Sequence, residues 1–388
     1  MPGKTNNDHP AKVLFFSDCG PENGVFPSQV LSFAQGYSRY VETHVLYRRK
    51  HLVSPESSNY AITSYRQLPN LCRPVWRFEM RLAKLIKILP GFNLVHCRGP
   101  IAAWMTLTAL KKLNRSCPRV VFDCRAALVE EQEFARSNGL HFLIKKLRIR
   151  EFKHIESEAA KHAHIVTAVS PELSGYLENK YSKKADFIFP PIVDENTFKY
   201  SEALRQRGRE ALDLGQKRVF LFVGGTDPWQ RIDILRAWWY EEMSHDKRNE
   251  LLVLTSKVAS FQSIFFNQKA CSRNNVKILS VPHKEVPLYM SAADFAILFR
   301  DDTMTNRVSS PVKLSEYLAM GLPVVTNQRF YEWIDPERVV YLTKAPFDDL
   351  ARKVFTTQTR VERSRKSAER FGASSVARKL LIECGCSL

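Results

Sequence analysis

The sequence predicts an α/β protein built from two doubly wound, Rossmann-like domains that face each other across a cleft. Short apolar runs alternate with helical patterns along most of the 388 residues, and a Pro190-Pro191 pair interrupts this alternation near the middle. Such alternation is typical of parallel sheets covered by helices on both faces, and this length is enough for two separate cores. The predicted domains are 1–190 and 191–365, followed by a C-terminal helix over 366–388 that crosses back to the first domain.

The strand-like runs fall into two series, one on each side of the proline pair. The first series is AKVLFFSD, ETHVLYRR, NLVHCRG, RVVFDCRA and HIVTAVS. The second is RVFLFVGG, ELLVLTS, VKILSV, FAILFR, GLPVVTN and RVVYLT. In doubly wound sheets, ligands bind beyond the carboxyl ends of the strands, so the residues at those ends are the candidate site.

The composition indicates a folded protein outside the membrane interior. Hydrophobic residues make up 44% of the chain, and no apolar run reaches the ~18 to 20 residues of a membrane span. The N-terminal segment lacks the long apolar core of a signal peptide. The eight cysteines are scattered and match no zinc motif, which favours reduced thiols and a cytoplasmic location.

A net charge of +18 favours an anionic partner. No nucleic-acid-binding module is recognisable, so nucleic acid is not expected as that partner. Basic residues concentrate in two amphipathic helical patterns, 72–92 and 142–154. Such helices can lie on an anionic membrane surface, although the solvated face of an ordinary packed helix would look the same.

Residues 309–325, SSPVKLSEYLAMGLPVV, predict a short helix followed by a strand. Ser310 can cap the helix start, and Pro311 suits the first helical position because it needs no backbone donor. Gly321 then ends the helix. Lys313 and Glu316 lie three residues apart on one face, near the electropositive end of this helix.

Several strand ends carry residues suited to ligand binding. In the second half, Gly224 and Gly225 allow the backbone to approach a ligand, and Arg231 can then meet an anion. The first half offers a similar glycine, Gly24, after its first strand. Two neighbouring strands there end in ionisable residues: His96, Arg98, Asp123 and Arg125, with Glu130 and Glu131 just beyond.

These motifs resemble the GT-B glycosyltransferases, in particular retaining family 4, also called bacterial glycosyltransferase group 1. The most specific match is the segment 309–325, with its Pro-x-Lys followed by Glu-Tyr-Leu-Ala-x-Gly-x-Pro-Val-Val. FVGGTDPWQRIDIL, VPHKEVPLYMSAADFAI and FPPIVDENTF resemble further segments of the family. HCRGP and FDCRAALVEEQEF resemble first-domain segments of a bacterial branch.

The resemblance implies a nucleoside-diphosphate-sugar donor bound mainly on the second domain. Arg231 and Lys313 match the two basic residues that bind the diphosphate, and Glu316 matches the acceptor for the ribose hydroxyls. The helix start at Ser310 and the glycines Gly24 and Gly225 would add backbone contacts. No cofactor and no metal are implied, since the sequence contains no Asp-x-Asp motif. The base of the donor stays open.

The acceptor side is expected on the first domain. His96, Arg98, Arg125 and Glu131 would form it, and Asp123 is the candidate that positions the acceptor. Retaining enzymes of this fold are described with a front-face mechanism, in which the leaving phosphate helps to deprotonate the acceptor hydroxyl. Many relatives carry a glutamate that reaches the sugar where this chain has Val308, so sugar recognition differs from the common pattern.

The expected function is sugar transfer to a lipid-linked or polysaccharide acceptor in bacterial surface-glycan biosynthesis, such as capsule or lipopolysaccharide assembly. The basic charge favours a lipid-linked or anionic glycan as that acceptor. The protein would associate peripherally with the inner face of the cell membrane. Two alternatives remain from the sequence. One is a nucleotide-sugar 2-epimerase of the same fold, and the other is a non-catalytic, membrane-associated assembly partner.

Overall fold

The chain forms two compact units. A computed structural model describes residues 11–21, 25–49, 62–69, 75–113, 118–130, 140–243, 246–267, 275–341 and 359–386. The first unit takes in the described residues up to Asp194, Arg307–Ser310 and those from Phe371 onward, and the second comprises Glu195–Asn306 and Pro311–Arg370. The predicted domain boundaries, after residues 190 and 365, lie within five residues of the observed boundaries after Asp194 and Arg370. The sequence pattern does not indicate that residues 307–310 leave the second unit.

The first unit contains a seven-stranded parallel sheet in the order β3-β2-β1-β4-β5-β6-β7. Its strands are β1 (Lys12–Ser17), β2 (Glu42–Arg49), β3 (Ser64–Pro69), β4 (Leu94–Arg98), β5 (Arg119–Cys124), β6 (Ile165–Ala168) and β7 (Phe187–Ile188). β3 and β7 are absent from the predicted series because the edge strand SYRQLP carries few apolar residues and β7 has only two residues.

Helices cover both faces of this sheet. They are α1 (Ser32–Ser38), α2 (Val75–Ile88), α3 (Pro100–Leu110), α4 (Leu140–His162), α5 (Pro171–Tyr181) and, from the end of the chain, a helix over Ala373–Glu383. Along β1, Leu14 and Phe16 face one apolar cluster while Val13 and Phe15 face the other. A strand buried on both sides therefore has a continuous apolar sequence, which is the pattern that predicted it.

The helix Ala373–Glu383 packs in the core of the first unit through Val376, Ala377 and Leu380. It lies against α1, where a Cβ atom at Gly36 would come within 2.4 Å of the Ala373 carbonyl oxygen. Glycine at position 36 therefore permits the close approach of the two helices. This is the segment for which the sequence predicted a return to the first domain.

The two basic amphipathic stretches differ in what they leave exposed. Of the first stretch, Leu82 and Leu85 of α2 and Leu89 just beyond it are buried in the core, so these three side chains are not exposed to a membrane. In α4, by contrast, Leu147 is 70% exposed and is flanked by the exposed Lys146 and Arg148. None of the helices in the described ranges has the length and apolar character needed to cross a bilayer.

The second unit contains a six-stranded parallel sheet in the order β10-β9-β8-β11-β12-β13. Its strands are β8 (Arg218–Val223), β9 (Asn249–Leu254), β10 (Val276–Leu279), β11 (Phe295–Leu298), β12 (Val324–Thr326) and β13 (Val339–Tyr341). Its helices are α6 (Glu202–Ala211), α7 (Ile232–Trp238), α8 (Val258–Phe265), α9 (Val286–Ala292), α10 (Met304–Val308), α11 (Val312–Ala319) and α12 (Arg360–Phe371). The last two residues of α10, Arg307 and Val308, belong to the first unit. The helix Ala373–Glu383 of the first unit is α13.

The strand order reverses beside the first strand of each sheet. In the second sheet the chain moves from β8 to β9 on one side and returns to β11 on the other, so β8 and β11 border a switch point. In the first sheet, β1 and β4 border the equivalent point. Loops diverge there beyond the carboxyl ends of the strands, and this divergence opens a crevice for ligands.

Candidate active site

The loop that follows β8 makes a tight glycine turn at the switch point of the second sheet. Gly224 donates its N–H to the Leu254 carbonyl at 3.1 Å, which ties the loop to β9. A Cβ atom at Gly224 would lie 3.0 Å from Gln230 Oε1, and one at Gly225 would lie 3.2 Å from Asp227 Oδ2. The turn is therefore closely packed, and it leads through a 3₁₀ turn at Pro228–Gln230 into Arg231.

Arg231 caps the start of α7 in a left-handed backbone conformation, with φ +46° and ψ 53°. This conformation is unfavourable for a residue with a side chain and points to a functional constraint. Its guanidinium donates to Asp233 Oδ1 at 2.9 Å and Asp233 Oδ2 at 2.6 Å, and it also pairs with Asp301. These hydrogen bonds raise the pKa of Arg231, so the group is always charged.

The two aspartates are functional-site residues that the sequence reasoning missed. Asp301 lies beyond the end of β11, so its pairing with Arg231 joins the loops on the two sides of the switch point. The sequence contains an Arg-Asp-Asp run, 300–302, just after the strand-like FAILF, but no pattern in the sequence pairs Asp301 with Arg231. A guanidinium has five N–H groups, and its three bonds here leave two for a ligand.

Helix α11 starts one residue later than predicted. Pro311 occupies the cap position with an extended backbone, the first helical residue is Val312, and no side chain caps the helix. The Ser310 hydroxyl is buried and has no hydrogen-bond partner among the residues that the structure describes. The prediction that Ser310 caps this helix is therefore wrong, because Pro311 intervenes and moves the hydroxyl out of reach of the first free N–H groups.

Lys313 and Glu316 lie at the amino end of α11. This end is at the carboxyl edge of the sheet, because the helix belongs to the connection between β11 and the parallel β12. Lys313 Nζ donates to Glu316 Oε2 at 2.6 Å, with side chains 28% and 2% exposed. In this structure the two residues therefore face each other. Tyr317 fixes the helix by accepting the N–H of Val223 at the end of β8, at 2.8 Å.

In the first unit, the structure brings four of the predicted acceptor-side residues together at the ends of β4 and β5. Arg98 is paired in register with Asp123 across the two strands. His96 is fully buried, stacked on Phe15, and its Nδ1 contacts the Tyr37 hydroxyl at 2.9 Å. Burial lowers the pKa of His96, although Asp123 opposes this, so the ring is neutral near pH 7.

Asp123 is fully buried and its two oxygens are occupied. Oδ2 accepts from Arg125 Nε at 2.6 Å and lies 3.3 Å from His96 Nε2, while Oδ1 accepts from the Thr167 hydroxyl at 3.0 Å. Burial alone would raise the pKa of Asp123, but the charge of Arg125 and the contact with His96 hold it well below its usual value. Asp123 therefore orients Arg125 and His96 and has no exposed surface for an acceptor.

Two of the predicted site residues, Gly24 and Glu131, lie outside the described residues, and their roles stay predictions. The neighbouring Glu130 is described and turns to Lys180, whose Nζ lies 2.6 Å away. Val308, which replaces a glutamate common in the resembling family, is buried in the apolar core of the first unit. Its carbonyl accepts the Ser170 hydroxyl at 2.7 Å.

The chain is similar to known proteins in sequence and in fold. No family model matches the chain. Over 227 residues the chain is 23% identical to a putative teichuronic acid biosynthesis glycosyltransferase, TuaH, of Bacillus subtilis. The match covers 57% of this chain and 54% of that protein, so the chain spans about half the length of the curated relative it matches.

Solved structures match nearly the entire chain. HepE of Anabaena in complex with UDP superposes with a TM-score of 0.70 and 14% identity, covering 96% of this chain and 99% of that one. WaaG, a glycosyltransferase involved in lipopolysaccharide biosynthesis, superposes with a TM-score of 0.61 and 16% identity, covering 97% and 100%. The fold is that of the GT-B glycosyltransferases. The GT-B architecture predicted from the sequence is thereby confirmed, whereas membership of retaining family 4 stays a prediction.

Proposed function

We propose that this GT-B protein is a glycosyltransferase that moves a sugar from a nucleoside-diphosphate sugar to a glycan acceptor. The observation that carries this proposal is the grouping of Arg231, Lys313 and Glu316 beyond the carboxyl ends of the strands of the second sheet. Fixed cations at a switch point and a helix start are suited to a diphosphate. The relationship to HepE, whose structures include UDP and UDP-glucose, supports a donor of this class.

Catalysis would depend on stabilising the leaving group. When the bond between the sugar and the diphosphate breaks, negative charge builds on the departing phosphate, and cations already in place lower the energy of that state. Lys313 Nζ has three N–H groups and gives one to Glu316, so two remain for phosphate oxygens. Glu316 would accept the ribose hydroxyls, and the glycine turn at Gly224 and Gly225 would give backbone contacts.

The finer features of the reaction are part of the same proposal. Transfer proceeds with retention and without a metal, through front-face attack in which the leaving phosphate takes the acceptor proton. No protein side chain is then needed as an obligatory base, which agrees with a buried Asp123 that acts by positioning Arg125. The acceptor is a lipid-linked or polysaccharide glycan of the bacterial surface, and the name of the Bacillus subtilis relative supports this context.

A thermal-shift screen against nucleotides and nucleotide sugars tests the donor assignment. We expect one nucleoside diphosphate, with its sugar, to raise the melting temperature strongly. Ligand at ten times its Kd stabilises the folded protein by about 1.4 kcal/mol. A nucleoside monophosphate of the same base is the matched control, because it lacks the second phosphate that Arg231 and Lys313 would hold. Equal stabilisation by both would contradict the diphosphate site.

The same preparations separate the alternative functions. Incubating the protein with the stabilising nucleotide sugar alone, without an acceptor, shows epimer formation if the chain is a 2-epimerase. An absence of stabilisation by any nucleotide would favour the non-catalytic assembly partner. Transfer of the sugar to an added glycan acceptor, with no epimer, supports the glycosyltransferase.

We further propose peripheral binding to an anionic membrane surface through α4. The exposed Leu147, with Lys146, Arg148 and Arg150 beside it, combines an apolar anchor with positive charge. A single leucine buries little surface, so the charges supply most of the attraction and added salt should weaken it. The inner face of the cell membrane is the proposed location.

Vesicle co-sedimentation tests this contact. The protein is expected to bind vesicles that contain anionic lipid and to leave them in high salt, because the attraction is mainly electrostatic. Leu147→Glu should reduce the bound fraction severalfold. Ile382→Glu is the control, because Ile382 is 50% exposed on α13 but lies outside the basic stretch. Equal losses in both variants, or none, would rule out α4 as the contact.

A further inference from the structure

Two arginines at the carboxyl ends of the central strands β4 and β5 hold N–H groups that no atom of the described residues accepts. Arg125 Nη1 and Nη2 and Arg98 Nε are buried, and none of them has a hydrogen-bond partner in the part of the chain that the structure describes. The Arg125 side chain as a whole is only 10% exposed. A buried guanidinium with unmet donors is costly to a folded protein, and native structures rarely keep one without a reason.

The surrounding groups hold these arginines in place but do not satisfy them. Asp123 accepts only Nε of Arg125, which leaves the two Nη groups directed away from it. The face of Phe189 lies 5.8 Å from the Arg125 guanidinium carbon and adds a weak cation–π contact. The orientation of Arg125 is thus fixed through Nε, whereas the buried Nη1 and Nη2 have no hydrogen-bond partner among the described residues.

The two positive charges are also close enough to repel each other. Burial lowers the pKa of Arg98, and the charge of Arg125 lowers it further. Asp123 and Asp18 are the carboxylates near Arg98, and His96 is neutral. The two positive charges are thus matched in number by those of Asp123 and Asp18, while Arg125 Nη1 and Nη2 and Arg98 Nε have no hydrogen-bond partner among the described residues.

We propose that Arg98 and Arg125 bind an oxyanion carried by the acceptor, namely the carboxylate of an acidic sugar or a phosphate on the acceptor glycan. The inference rests on the proposed glycosyltransferase function and names the chemistry of its acceptor. Paired N–H groups on a planar guanidinium match the two oxygens of a carboxylate or phosphate, and an anion would also relieve the repulsion between the arginines. A neutral sugar hydroxyl would satisfy one donor and leave that repulsion in place.

The position of the two arginines fits this role. Arg98 is the last residue of β4 and Arg125 directly follows β5, and β4 borders the switch point of the first sheet beside β1. Gly99 follows Arg98 with φ +95°, and a Cβ atom there would come within 2.3 Å of Asp18 Oδ2. Both the positive φ and the closeness of Asp18 therefore require glycine at position 99. Asp18 lies near Arg98.

Melting temperatures of the full chain, measured with and without small sugars, test the proposal. The probes are glucuronate, which carries a carboxylate, glucose 6-phosphate, which carries a phosphate, and glucose as the uncharged control, all at matched ionic strength. At ten times its Kd, a bound anion is expected to raise the melting temperature by about 2 °C. A shift with glucuronate alone identifies a carboxylate, and a shift with glucose 6-phosphate alone identifies a phosphate.

The variants locate the site. Arg98→Met and Arg125→Met should each abolish the shift caused by the anionic sugar, whereas Arg378→Met, which changes an exposed arginine of the same unit, should keep it. A shift that persists in both site variants, or is equal for glucose and the anionic sugars, or is absent with every anionic sugar, overturns the proposal. The comparison among the three sugars on the unmodified chain decides this even if a variant fails to fold.

The nucleoside diphosphate found in the donor screen keeps this inference separate from the proposed function. Its stabilising effect should be unchanged in Arg98→Met and Arg125→Met, because Arg231 and Lys313 belong to the second unit. Donor binding without anion binding refutes the oxyanion site and leaves the glycosyltransferase standing. Anion binding without donor binding refutes the glycosyltransferase instead.

Discussion

Lys313→Ala is expected to weaken binding of the nucleoside-diphosphate donor by about 10- to 100-fold. The reason is the loss of a charge-assisted hydrogen bond to phosphate, which is worth about 1.5–3 kcal/mol. Because this contact strengthens as the leaving group gains charge, kcat should also fall by about 10²- to 10³-fold. Donor titration by calorimetry gives the Kd, and sugar transfer or release gives the rate.

The matched control for this change is Lys366→Ala, since Lys366 is an exposed lysine of the second unit on α12. A second control is needed because Lys313→Ala leaves the buried Glu316 without its 2.6 Å partner. The double variant Lys313→Met with Glu316→Gln removes both charges and so restores local neutrality. Donor binding should stay weak in it. Full recovery would mean that Lys313 acts only by neutralising Glu316, and an unchanged Kd in Lys313→Ala would remove it from the diphosphate site.

Arg231→Gly is expected to abolish measurable donor binding while leaving the fold intact. Glycine adopts the φ of +46° at this position without steric cost, so relief of backbone strain partly offsets the lost contacts with Asp233 and Asp301. We expect the free energy of unfolding to change by less than about 1 kcal/mol, because the ion pairs are partly exposed. Chemical denaturation measures this quantity, and donor titration measures the loss of binding.

Asn275→Gly is the control for Arg231→Gly, because Asn275 also has a left-handed backbone, with φ +61°, in the same unit. It should leave both donor binding and stability close to those of the unmodified chain. A large destabilisation confined to Arg231→Gly would mean that its ion pairs serve the fold. Donor affinity equal to that of the unmodified chain would show that Arg231 does not contact the diphosphate.

The parts of the fold that the sequence predicted are those with a strong local pattern. Apolar runs such as RVFLFV and ELLVLT became central strands because burial on both faces requires an unbroken apolar sequence. The segment 309–325 predicted the helix that carries Lys313 and Glu316 and the strand that follows it. By contrast, the edge strand β3 has a mixed sequence and was missed, and the Ser310 cap failed because one proline shifted the helix start.

The contacts of the candidate site depend on residues far apart in sequence, which no local pattern reveals. The partners of Arg231 and Asp123 include Asp301 and Thr167, which lie 70 and 44 residues away along the chain. Likewise, the amphipathic pattern of 72–92 does not reveal that Leu82 and Leu85 of α2 are buried in the core. An amphipathic pattern states that a face is apolar, but only the neighbouring elements decide what covers it.

The sequence by itself determined the two-part α/β architecture, the GT-B resemblance and the identity of the charged residues at the strand ends. Those properties follow from periodicity and motif, which are local and independent of packing. Only the tertiary structure decided that Lys313 bonds to Glu316 and that Asp123 is fully buried. It also decided that Arg98 and Arg125 have N–H groups without a partner among the described residues. Hydrogen-bond satisfaction and burial are properties of the folded surroundings, so they exist only once distant segments have met.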